Sequence, residues 1–80
     1  MNEKKQKEDE LKFKNWKSRP SGGRIYWYDI KGWLGWKARY IKETDSNENT
    51  LKFYQEIYDQ EGIMVEIHVK FPEDKGHRKL

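Results

Sequence analysis

The chain has no cysteine among its 80 residues. That absence excludes a disulfide framework and a zinc–thiolate site. No apolar run approaches the roughly 18 residues that a membrane-spanning helix needs. The opening MNEKKQKEDE lacks the apolar core of a secretory signal. The expected setting is the cytoplasm, with no membrane partner. Catalytic signatures are missing too: there is no nucleophile elbow, phosphate-binding glycine loop, zinc pattern or dinucleotide fingerprint. The adjacent Gly22 and Gly23 precede a strand-like run and not a helix, so they make no phosphate site. Glu66 and His68, with Asp74 or His77, offer too few ligands for a metal centre. No metal and no cofactor is expected.

What is present is aromatic and charged. Four Trp, five Tyr and three Phe make up 15% of the chain, and charged residues 39%. A charge fraction that high suggests disorder unless apolar residues can offset the ordering entropy. Here the aromatics and β-branched residues gather after residue 23. The reading is one domain in two parts: a charged arm over 1–21, helical or disordered, and an antiparallel β domain over 22–80 ending in a polar tail. Residues 1–20 hold seven basic and four acidic side chains, so much of the net charge of +3 sits on the arm. A chain this short buries only roughly 60% of its unfolded surface, so aromatic packing and strand pairing must supply its stability.

Within the arm, Glu3 and Lys7, Glu8 and Lys12, and Glu10 and Lys14 stand four apart in the order that supports a helix. Leu11, Phe13 and Trp16 make a poor stripe, so docking would fall to Phe13 and Trp16. The run SRPSGG over 18–23 breaks regular structure and reads as a linker. Four strand-like runs follow, at 24–30, 36–43, 50–58 and 63–71. Asp59-Gln60-Glu61-Gly62 reads as a hairpin turn closed by a left-handed glycine, and Pro72 ends the last run. Short connections make sequence neighbours sheet neighbours. The fold class is mainly β, α+β in outline, with a four-stranded antiparallel meander.

Side chains alternate across a strand. Ile63, Val65, Ile67, Val69 and Phe71 share one face, as do Leu51, Phe53 and Ile57 with Gln55 among them. Adding Ile25, Trp27, Trp36, Ala38 and Tyr40 gives the expected core. A bulge near residue 40 would bring in Ile41 instead. The second face then carries Arg24, Tyr26, Tyr28, Lys37, Arg39, Lys52, Tyr54, Tyr58 and Lys70, with Glu56, Glu66 and His68. Tyrosines interleaved with cations suit stacked bases and phosphates, so binding of nucleic acid, RNA in particular, is the leading expectation. The runner-up is a protein-interaction module. Trp33 and Leu34 place apolar bulk at a hairpin tip, and the outer strands are open edges that invite a protein partner or a homodimer. The third reading is a ribonuclease. The only two histidines, His68 and His77, supply an acid and a base near neutral pH. Whether the chain is an enzyme stays open among these readings.

The C-terminal segment VEIHVKFPEDKGHRKL, through His68, Lys70, Pro72, Asp74, Gly76 and His77, resembles the ends of small uncharacterised prokaryotic proteins of the TumE-like toxin type. That resemblance covers about a fifth of the chain. It implies a β-rich, ribonuclease-like component of a toxin–antitoxin pair, RNA as target, and functional roles for His68 and His77.

Overall fold

The computed structural model describes residues 2–80. In chain order these form α1 (Glu3–Phe13), β1 (Asn15–Ser18), β2 (Arg24–Lys31), β3 (Lys37–Thr44), β4 (Thr50–Tyr58), β5 (Met64–Phe71) and β6 (His77–Lys79). The strands make one antiparallel sheet whose spatial order is the order of the sequence. The mainly β class and the meander hold, but there are six strands and not four. β1 comes from the arm and β6 from the polar tail. Both are short and wholly exposed, and each exists because a longer neighbour offers its open edge. No helix among the described residues is long and apolar enough to cross a membrane.

The run over 18–23 is a tight hairpin and not a linker. The Arg19 N–H donates to the Gly23 carbonyl and the Gly22 N–H to that of Arg19. Gly23 is required by space: a Cβ there would lie 1.9 Å from the Thr44 carbonyl oxygen. The expected turn at 59–62 is present, with Gly62 at φ 80° and its N–H on the Asp59 carbonyl.

Asn2 caps α1 by accepting from the Lys5 N–H. The expected pairs within the helix are not formed among the described residues. Glu10 turns instead to Arg24 at 2.6 Å and Asp9 to Lys42 at 2.9 Å, because the sheet offers cations in drier surroundings. Phe13, 1% exposed, is the helix's anchor. Its ring packs on Tyr26, Tyr28 and Phe53 at centroid distances of 5.8, 5.4 and 6.4 Å. Full burial of such a ring contributes about 1.5–3 kcal/mol. Trp16 lies in β1, under the Arg24 guanidinium at 3.7 Å.

Register decides the faces, since directly opposed residues point the same way. One row on the helix side runs Tyr28, Tyr40, Gln55, His68 and His77 from β2 to β6. Beside it runs Ile30, Ala38, Ile57, Glu66 and Lys79. The other face carries Trp27, Ile41, Tyr54 and Val69 in one row and Asp29, Arg39, Glu56, Ile67 and Arg78 in the next. The expected core therefore mixed two faces. Ile25, Trp27, Ile67 and Val69 lie opposite Ala38, Tyr40, Phe53 and Ile57. Alternation fixes the phase within a strand, and pairing alone fixes the phase between strands. Buried Tyr26 and Ile41 mark the two faces of the sheet.

Candidate active site

α1 packs on β1 and β2, meets β3 through Asp9 and Lys42, and reaches β4 through Phe13 and Lys12. The β5–β6 end of the same face stays uncovered, and both histidines stand there. They are cross-strand partners, and their rings lie 4.4 Å apart, tilted by 52°. Each imidazole carries one carboxylate. His68 Nε2 is 2.7 Å from Asp74 Oδ1, and His77 Nδ1 is 3.6 Å from Glu66 Oε1. Asp74 also accepts the Gly76 N–H at 2.9 Å. That backbone contact first, and His68 second, hold its carboxyl below the usual range. An ionised Asp74 only accepts, so the proton between them sits on His68 Nε2.

The two rings differ in access. The His68 side chain is 14% exposed and its Nδ1 is buried without a hydrogen-bond partner among the described residues. The His77 side chain is 49% exposed. With Nδ1 turned to Glu66, its Nε2 is the nitrogen left to meet a ligand. Gln55, the inner neighbour of His68 in the row, donates from Nε2 to the Tyr40 hydroxyl at 3.1 Å.

The cation comes from a bulge. Register shifts between Phe53 and Tyr54, so Lys70 and Phe71 together oppose Phe53. Lys70 Nζ reaches back over the Tyr40 and Phe53 rings at 5.0 and 5.9 Å. Two imidazoles in contact, each near a carboxylate, and an ammonium on the same face are residue types that acid–base cleavage of a phosphodiester can use. No group of three or more His, Asp or Glu able to hold a metal ion is present among the described residues.

The tyrosine–cation set expected on one face is divided between two. Arg24, Tyr26, Tyr28 and Lys70 lie on the helix side. Arg24 is engaged by Glu10 and Trp16. Tyr26 is fully buried, and its hydroxyl donates to Glu48; burial, and after it Glu48, raise its pKa strongly. Tyr28 stacks on Tyr40 at 5.0 Å beneath Phe13. Lys37, Arg39, Lys52, Tyr54 and Tyr58 lie on the opposite face and largely engage one another. Arg39 forks onto Asp29 at 2.7 and 3.1 Å. Tyr54 donates to Glu43, and Lys52 lies 4.7 Å over its ring. Tyr58 donates to Glu56 and lies beneath Lys37; burial first and Glu56 second push its hydroxyl up to about 12. Trp33 and Leu34 stand free at the hairpin tip, 90% and 84% exposed.

Gln55, Tyr40 and the orienting role of Asp74 were missed from the sequence. The signal for the first two was the register that sets Gln55 opposite His68. No protein-family model, curated protein or solved structure matches this chain.

Proposed function

We propose that this protein cleaves single-stranded RNA by general acid–base catalysis at His68 and His77. The observation that carries the reading is the contact between the only two imidazoles of the chain, each turned by its own carboxylate. His77 Nε2 takes the proton of a ribose 2′-hydroxyl. The 2′-oxygen attacks phosphorus and the bond to the 5′-oxygen breaks. His68, carrying a proton on each ring nitrogen, turns its Nε2–H from Asp74 Oδ1 to that leaving oxygen, donates the proton and is left a neutral imidazole. The products are a 2′,3′-cyclic phosphate and a 5′-hydroxyl. Asp74 Oδ1 marks the direction from which an accepting oxygen approaches His68. Lys70 and Lys79 balance the charge gathering on the phosphate. The C-terminal resemblance to TumE-like toxins points to the same residues and the same target.

The test is digestion of a short single-stranded RNA by the full chain. The expected result is a cyclic-phosphate product, and resistance of any linkage whose 2′-hydroxyl is replaced by hydrogen. Equal cleavage of the 2′-deoxy linkage would sink the mechanism.

The exposed Trp33–Leu34 tip favours a second reading, docking of a protein partner. On that reading Trp33→Ala weakens partner capture by about tenfold or more, the loss expected of an interface hot spot. An unchanged dissociation constant would remove it.

A further inference from the structure

Between the last turn of α1 and the β4–β5 bulge lies an open cleft of about 470 Å³. We propose that this cleft binds a nucleotide base, stacked against Phe71 and Phe53, with its phosphate toward Lys12 and Lys70. The volume falls within the range of small-ligand sites. Phe13 closes the inner end and presents its edge to Phe53 at 82° between planes. Phe53 forms the floor. Phe71, a large apolar ring left 43% exposed, stands at the rim. Three rings around an open slot recognise a flat aromatic ligand, because every base offers a face to stack.

The cations make that ligand an anion. Lys12 Nζ lies 5.5 Å from the Phe13 ring and 6.0 Å from Phe53, and it has no carboxylate partner among the described residues. Lys42, also in the wall, is already neutralised by Asp9. Lys70 Nζ lies 5.9 Å from the same Phe53 ring. Asn49 adds a polar edge whose side-chain oxygen accepts no hydrogen bond among the described residues. An aromatic plane carrying negative charge, with hydrogen-bonding groups at its rim, is a nucleotide.

Position joins the cleft to the histidines. Lys70 follows His68 by two residues on one face, a step of about 7 Å along a strand. A base on Phe53 and Phe71 sends its phosphate toward Lys70 and then His68. That this base belongs to the cleaved substrate rests on the proposed cleavage. The affinity of the cleft for a nucleotide does not, and so it is tested apart.

The experiment is a nuclear magnetic resonance titration of the full chain with uridine 3′-monophosphate, adenosine 3′-monophosphate and, as the baseless control, ribose 5-phosphate. The nucleotides are expected to shift the ring resonances of Phe13, Phe53 and Phe71. Phe71→Leu, which keeps bulk but removes the ring, weakens binding by about fivefold or more, as loss of one base stack does. Lys12→Ala, on the exposed helix surface, weakens it through lost charge and leaves packing intact. Unmoved phenylalanine resonances, equal binding of ribose 5-phosphate, or unchanged affinity in both Phe71→Leu and Lys12→Ala would overturn the site. A chain that binds nucleotide but leaves RNA intact would overturn the cleavage reading and keep the cleft.

Discussion

Glu48 is the least comfortable residue in the fold. It is 2% exposed, adopts φ 65° in the β3–β4 turn, and meets Tyr26 and Thr44 in a dry pocket that also receives Asp9. Asp9 Oδ2 has no hydrogen-bond partner there among the described residues. Burial raises the pKa of Glu48; hydrogen bonds from Tyr26 and Thr44 oppose the rise, and the Asp9 carboxylate adds to it. A carboxyl whose folded value is raised contributes stability that is complete below its unfolded value of 4.5 and is lost as pH climbs through the folded value. Asp29, Asp45 and Asp74 are lowered instead, and their contributions fade only in more acid solution. The expectation is that Glu48→Gln gains on the parent in urea denaturation as pH rises above 4.5. A constant difference across that range would refute the assignment. The histidines were legible as residues, because a chain with only two makes each conspicuous. Their meeting was not legible, because it depends on the tail turning back through Asp74 and Gly76 to pair as β6.

Elements explain which parts of the fold could be read. The four long runs, at 24–30, 36–43, 50–58 and 63–71, match β2 to β5 within about a residue at most ends, since they carry β-forming side chains between turn signals. β1 and β6, reading NWKS and HRK, have no such composition. They are made by edge pairing, a tertiary event that no local pattern announces. The two faces were misassigned for a related reason. Each side of this sheet carries both aromatics and cations, so hydropathy could not say which phase of β2 matches which phase of β3. α1 settles the matter by placing Phe13 on Tyr26 and Tyr28. Phe13→Ala should then cost about 3 kcal/mol or more. That is a large share of the roughly 4–12 kcal/mol expected for 80 residues. Equilibrium unfolding measures it, and a loss below about 1 kcal/mol would mean that α1 is held mainly by its ion pairs rather than by core packing.

At the scale of the molecule, the sheet separates two kinds of surface. On the open face Asp29 pairs with Arg39 and Lys37, and Tyr54 and Tyr58 are capped by Glu43 and Glu56. On the helix face Lys12 and Lys70 have no carboxylate partner among the described residues, and two imidazoles and three phenylalanines share that face. On the proposed cleavage the RNA contacts fall on the helix face, where the two histidines stand, and Lys12 and Lys70 set their number. Two or three phosphate contacts on a single strand weaken affinity by roughly 7- to 20-fold between 50 and 200 mM salt. Fluorescence polarisation of a labelled RNA reads that slope. A salt-independent affinity would contradict an electrostatic groove and turn attention to the Trp33–Leu34 tip.

The central claim is that His68 and His77 exchange protons with RNA, and initial rates test it most directly. The parent, His68→Ala and His77→Ala are compared on one short single-stranded RNA, with circular dichroism confirming the sheet in each. The account predicts cyclic-phosphate product from the parent and a fall of about 10²- to 10⁴-fold in each variant, the usual contribution of one general acid or base. An inactive parent, or a folded variant of either histidine that cleaves at the parent rate, would contradict it.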